Sequence, residues 1–240
     1  MRKILKYLLR YFGYKIEKIT ASDNKLSMSE AIKKVKSNSI NVNTFIDVGA
    51  SNGMWSEQCM QYYPESYYLL IEAQKEHQNE LEYFIQKYPK SSYVLKAAGN
   101  KEGEIYFDAT SVFGGVASET PFEKNNIIVP VTTIDTEVFK KQLKPPYCIK
   151  LDTHGYEVPI LEGATETLKN TNLLIIEAYN FQIAHKSLRF WELCSYVEKL
   201  GFLPFNMVDF MHRSKDNAFW QMDIFFLRAE HPVFSSNTYE

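Results

Sequence analysis

From residue 43 onward the chain alternates short apolar runs with longer amphipathic stretches, and this rhythm restricts its fold more than anything else in the sequence. "TFIDVGA", "SYYLLIEA", "SYVLKAAGN", "YCIKLDTHG" and "TNLLIIEAYN" read as strands. Between them "NGMWSEQCMQYYP", "KEHQNELEYFIQKYP", "TEVFKKQLKPP" and "YEVPILEGATETLKN" read as helices, most of them stopped by proline or a polar turn. Strands alternating with helices of roughly 10–15 residues predict parallel βαβ units. After "SLRFWELCSYVEKLG", a helix closed by Gly201, two last strands near "FLPFNMVD" and "FWQMDIFFLRA" predict an antiparallel edge pair. The expected class is α/β: a doubly wound, mostly parallel seven-stranded sheet with that edge pair, plus an N-terminal helical extension. The 240 residues fit one such domain.

Two stretches break the rhythm. "KEGEIYFDA" reads as a turn and short strand and "IIVPVTTID" as extended chain. Residues 111–126 between them are rich in Gly, Ser and Thr without a period, which predicts a lid or a wall of the substrate pocket. At the other exception, residues 1–19, six basic residues fall in the first 18 against one acid, Glu17, and Ile4, Leu5, Leu8, Leu9 and Phe12 recur at helical spacing. This predicts a short amphipathic helix, packed on the domain or lying on an anionic membrane surface. Residues 20–41, with a helical middle at "SMSEAIKKVKS", are expected to connect it to the core. The division is thus 1–41 for helix and connector, and 42–240 for the main domain.

Bulk properties remove some function classes. A net charge of −2 argues against a nucleic-acid partner. Three cysteines, Cys59, Cys148 and Cys194, form no CxxC pair, which points to a reducing, cytoplasmic setting. No apolar run is long enough to cross a membrane.

"FIDVGASNG" places Gly49 and Gly53 where the first strand turns into a helix, the position at which backbone N–H groups face a ligand. A dinucleotide fingerprint counted from Gly49 fails at Ser51 and Met54, and a phosphate-cradling Gly-Lys-Ser/Thr ending is absent. The next strand ends in Glu72, where an acid can accept both hydroxyls of a ribose. A nucleoside without phosphates, such as S-adenosylmethionine, suits this turn. Asp47 would orient its cationic methionine end, directly or through water, with Gly49, Ala50 and Gly53 beneath it.

Six segments in order, "FIDVGASNG", "LLIEA", "KAAGNKEGEIYF", "VPVTTID", "IKLDTHGYEVPILEGA" and "LLIIEA", resemble the FkbM-type methyltransferases, a branch of the class I, Rossmann-like, S-adenosylmethionine-dependent enzymes. The resemblance runs from about residue 43 to 228. It implies cofactor contacts at Asp47, Gly49, Ala50, Gly53, Glu72, Ala73 and Ala98. Two positions depart from the family pattern: His154 stands where an acid is usual, and Ala73 follows Glu72 in place of proline.

Ligands in doubly wound sheets sit at the carboxyl ends of the strands. Asp152 and His154 end the fourth main strand and Glu177 the fifth, so these three are the candidate catalytic residues. Methyl transfer to a hydroxyl needs alignment and a base, and His154 or Asp152 would take the proton. Lys150, two residues before Asp152, is expected on the opposite face, and Glu157 is expected to cap the following helix. His77, His185, His212 and His231 show no metal-ligand spacing and receive no role. A divalent metal on Asp152, Glu177 and Asn180 is an alternative that is not favoured. Trp191 and Trp220 are core aromatics or stacking surfaces for a sugar.

The resulting expectation is O-methylation of a small molecule or glycan, a saccharide preferred, by a cytoplasmic enzyme, at the inner face of the membrane if the N-terminal helix binds there. The rivals are a cofactor-binding module without methyl transfer and a nicotinamide-dependent oxidoreductase.

Overall fold

The computed structural model describes residues 26–112, 114–124 and 126–239. The amphipathic reading of residues 1–19 falls outside them. The first element, α1 (Met28–Ser37), starts at Ser27, whose side chain accepts the Glu30 N–H. Met28, Ala31, Ile32 and Val35 recur at 3–4-residue spacing and are buried against the main sheet, so this segment is packed structure.

The main sheet contains β1 (Thr44–Val48), β2 (Tyr67–Glu72), β3 (Ser91–Leu95), β8 (Tyr147–Leu151), β9 (Thr171–Tyr179), β10 (Phe202–His212) and β11 (Phe219–Arg228). Its order is β10-β11-β9-β8-β1-β2-β3. All neighbours from β9 to β3 are parallel, and β11 runs antiparallel to both β9 and β10. This is the doubly wound sheet the alternation predicts. The apolar side chains of β1, β2, β8 and β9 fill two clusters, one on each face, as strands covered on both sides require. The winding reverses at β1, which lies between β2 and β8. A crevice therefore opens beyond the carboxyl ends of these strands.

Helices α2 (Met54–Met60) and α3 (Gln78–Lys87) follow β1 and β2, and α4 (Ile134–Lys140) precedes β8. The helix expected after β8 is two pieces, α5 (Glu157–Glu162) and α6 (Thr165–Leu168), before β9, and α7 (Phe190–Lys199) follows it. The break falls at Gly163, where a Cβ would stand 2.0 Å from the Gly99 carbonyl oxygen.

The sequence rhythm misses a second sheet. Strands β4 (Ala97–Ala98), β5 (Gly103–Asp108), β6 (Val116–Ser118) and β7 (Asn126–Thr132) assemble in the order β4-β7-β5-β6. The single third strand expected from "SYVLKAAGN" thus divides at Lys96, with β3 in the large sheet and β4 in the small one. The segment 111–126 is likewise not wholly irregular, since β6 pairs with β5 through Tyr106 and Ser118. A three-residue strand is too short to show a period of two.

Candidate active site

The turn after β1 depends on unusual backbone angles. Gly49 and Gly53 have φ of +75° and +82°, and Ser51 between them lies at +49°. A Cβ on Gly49 would stand 2.0 Å from the Asp152 carbonyl oxygen, and one on Gly53 would stand 2.6 Å from the Phe84 ring. Glycine at 49 therefore lets the ends of β1 and β8 close together. The Ser51 N–H donates to Glu72 Oε2 at 2.7 Å, and the Gln74 N–H donates to Oε1 at 2.8 Å. Glu72 is 5% exposed, so these bonds hold its carboxylate rigidly at the carboxyl end of β2. Each oxygen keeps a further lone pair for a ligand hydroxyl.

Beside the turn lies a cavity of about 450 Å³. Gly49, Glu72, Ala73 and Ala98 line one part of it, and Asp152, His154 and Glu177 another. The second sheet roofs it with Phe107, Gly115 and Ala117. Asp47, Ala50 and Gly53 do not reach its wall. Asp47 is fully buried under the turn, where the Ser56 hydroxyl donates to its Oδ2 at 2.7 Å. A strand residue two before the glycine has its side chain against the helical layer, which places Asp47 beneath the ligand space.

Lys150 corrects a sequence expectation. Residues two apart on a strand share a face, so Lys150 lies on the same side as Asp152. Its ammonium donates to Asp152 Oδ2 at 2.8 Å and stands 3.9 Å from Asp47 Oδ1. It also sits 5.4 Å from the centre of the Trp55 ring. Burial by itself would raise the Asp152 pKa, but the adjacent ammonium outweighs it and holds the carboxyl below its usual range. The opposite holds for Glu177, where burial, reinforced by the charge of Asp152, pushes the carboxyl up to about 9. Burial also lowers His154, which favours the neutral imidazole.

Glu177 is held by two groups that the sequence reading does not single out. The Tyr179 hydroxyl donates to Oε2 and the Gln221 amide to Oε1. Tyr179 shares the face of Glu177 by strand alternation, a signal present in the sequence. Gln221 arrives through the antiparallel pairing of β11 with β9, opposite Tyr179, which no local pattern announces. His154 Nε2 is 3.9 Å from Glu177 Oε2, and His154 itself has φ of +52° in a turn completed by Gly155. Glu157 secures that turn, because its Oε1 accepts from the Gly155 N–H at 2.8 Å and the Thr153 hydroxyl at 3.2 Å.

His77 also acquires a place. Its Nε2 lies 3.3 Å from Ser51 Oγ and 2.9 Å from the Val112 carbonyl, which also accepts from the Gln74 amide. The glycine turn and the roof are thus tied together. Trp220 stacks on Phe181 beyond Tyr179, and the Arg213 guanidinium lies 4.0 Å over the Phe181 ring. Trp191 packs beside Phe190 and Arg189, away from the cavity wall.

Asp152, His154 and Glu177 each offer a ligand atom within 4.8 Å of the others, a spacing that a divalent ion could span. The Lys150 ammonium already engages Asp152 Oδ2, and the Asn180 side-chain nitrogen donates to the Phe219 carbonyl.

Residues 47–204 match the family described as the Methyltransferase FkbM domain. None of the curated proteins matches the sequence. Among solved structures, the chain resembles the FkbM methyltransferase of Methylobacillus flagellatus KT at 16% identity and a TM-score of 0.49. That likeness covers 76% of this chain and 43% of the other, so the chain spans less than half of that protein's length. A SAM-dependent methyltransferase from Aquifex aeolicus is 16% identical with a TM-score of 0.44, covering 87% of this chain and 94% of the other. M. capricolum TrmK, solved with S-adenosylhomocysteine, is 11% identical with a TM-score of 0.47, covering 86% and 70%.

Proposed function

The chain belongs to the FkbM methyltransferase family, and on that footing we propose that it methylates a hydroxyl group, preferentially on a saccharide, using S-adenosylmethionine. When bound, the cofactor supplies a methyl group activated on a sulfonium. Glu72 would take the ribose hydroxyls, Ala73 and Ala98 would border the adenosine, and Gly49 would let the methionine end lie on the turn. A cavity of about 450 Å³ falls in the range of ordinary small-ligand pockets.

The observation that carries the reading is the sorting of three ionisable groups at one end of that cavity. Asp152 is held ionised by Lys150, Glu177 is held protonated by burial, and His154 between them is held neutral. A neutral imidazole accepts a proton from an acceptor hydroxyl, and the anionic Asp152 then stabilises the imidazolium. Glu177, carrying its own proton, takes no part as a base. It fixes the position of the acceptor side of the site through Tyr179 and Gln221. With Lys150 on Asp152, the proton goes to His154 rather than to Asp152.

The N-terminal residues 1–19 supply positive charge for an anionic bilayer, which suits an acceptor presented on lipid at the inner membrane face. Co-sedimentation with anionic and neutral vesicles tests this part alone. Among the described residues, no helix is long and apolar enough to cross a membrane.

Calorimetry with S-adenosylhomocysteine and NAD, followed by methyl transfer from labelled S-adenosylmethionine into a panel of sugars and other alcohols, tests the whole reading. Binding of the first nucleoside, none of NAD, and label in a sugar hydroxyl are expected. Binding without transfer across the panel would favour the non-catalytic module, and binding of NAD alone would overturn the assignment.

A further inference from the structure

One buried cation of the site touches neither the cavity nor the acceptor. Lys150 is 4% exposed and does not line the cavity. Its neighbours are Asp152 at 2.8 Å, Asp47 at 3.9 Å and the Trp55 ring at 5.4 Å. Asp47 Oδ1, the oxygen nearest the ammonium, is buried without a hydrogen-bond partner, so the long contact to Lys150 is what offsets its charge. A buried ammonium of this kind is costly unless it is matched on more than one side. Here the two carboxylates come from different strands, β1 and β8, whose ends meet at the glycine turn.

This arrangement links the two halves of the site. Asp47 is fixed to α2 through Ser56, directly under the turn where the methionine end of the cofactor would lie. Asp152 lies across from that turn, its carbonyl in contact with the Gly49 backbone and its side chain 32% exposed toward the cavity. Among the carboxylates that the sheet gathers on this face, Asp47, Glu72, Asp152, Glu177 and Asp223, Asp152 is the one that Lys150 hydrogen-bonds.

We propose that Lys150 is a positioning residue that fixes the Asp152 carboxylate at the edge of the glycine turn, where it faces the cationic end of the bound cofactor. The inference rests on the methyltransferase reading. Its content is that recognition of positive charge in the cofactor is set from beneath by a lysine that never touches it. Removing the ammonium leaves Asp152 buried beside Glu177 and without its partner, so the carboxylate loses both its orientation and its charge. Affinity for a cationic ligand then falls, while affinity for the neutral nucleoside part is retained through Glu72.

The test uses the full chain and two probes. S-adenosylhomocysteine has a neutral sulfur, and sinefungin carries an ammonium in place of the sulfonium methyl. The ratio of their dissociation constants is measured by calorimetry for the wild type, Lys150→Met, Lys150→Arg and Asp152→Asn. Lys150→Met and Asp152→Asn are each expected to shift the ratio about tenfold against sinefungin, and Lys150→Arg to stay within about threefold of the wild type. A purely structural lysine would weaken both probes alike, so an unchanged ratio in Lys150→Met overturns the proposal. If that variant does not fold, Lys150→Gln, which removes the charge and keeps a hydrogen-bond donor, is measured in its place, and an unchanged ratio there overturns the proposal likewise. A wild-type chain that binds neither probe would remove the methyltransferase reading and this inference with it. Equal weakening of both probes would remove only the role of Lys150.

Discussion

His154 Nε2 stands 3.9 Å from Glu177 Oε2, and the two groups depart from ordinary behaviour in ways that leave both uncharged. The imidazole is lowered by burial, with Asp152 opposing. The carboxyl is pushed up to about 9 by burial and by Asp152. A base must be unprotonated, so the acid limb of the rate profile should lie below the usual histidine value of about 6.5. Loss of the Glu177 proton puts a second negative charge beside Asp152, so the rate should fall again near pH 9. A bell-shaped profile of methyl transfer is expected, with its alkaline limb near pH 9. His154→Gln should lower the rate by about 10²–10⁴-fold.

Glu177→Gln should make the protein more stable at neutral pH. The folded carboxyl titrates near 9 and the unfolded one near about 4.3, so the unfolded state binds fewer protons between these values. Wild-type stability therefore falls as pH rises through that window. Glutamine is neutral in both states and escapes that loss, and its amide can donate where the protonated acid does. A gain on the order of 5 °C in Tm at pH 8, shrinking to nothing near pH 4, would be read in thermal melts of the two proteins. An equal difference at both pH values would contradict the assigned protonation.

Gly49→Ala should be poorly tolerated. The added methyl meets the Asp152 carbonyl at 2.0 Å, and φ of +75° is strained for any L-residue. A loss of roughly 1–3 kcal/mol is expected in urea unfolding, together with weaker S-adenosylhomocysteine binding.

Glu72→Ala removes the acceptor of the Ser51 and Gln74 N–H groups as well as the ribose ligand. Hydrogen bonds to a charged group are worth about 1.5–3 kcal/mol, so S-adenosylhomocysteine affinity should fall about 10–100-fold. Glu72→Gln keeps one acceptor oxygen and should fall between the wild type and alanine. Calorimetry of the three proteins gives the order.

The parallel centre of the large sheet was legible in the sequence because its strands are largely apolar runs bounded by turns, as in "TFIDVGA" and "TNLLIIEAYN". The glycine turn, Glu72 and the cluster of Asp152, His154 and Glu177 were legible for the same reason, since strand ends in such a sheet face one crevice. The small sheet was not, because Ala97–Ala98 and Val116–Ser118 are too short to carry a period and owe their pairing to partners distant in the chain. The face on which Lys150 lies was readable from two-residue alternation, whereas Gln221 reaches Glu177 only through the register of β11 on β9. His77 meets Ser51 through packing between separate loops, and residue spacing holds no trace of that.

The division of the third strand at Lys96 has a consequence for how such a chain can diversify. The floor of the cavity is built from strand ends of the large sheet, while the small sheet that begins at Ala97 contributes Ala98, Phe107 and Ala117 as a separate canopy. Turns and edges in the canopy can lengthen or change chemistry without shifting the register of β1, β2 or β8. The floor of the cavity and its canopy can thereby change on different pieces of backbone.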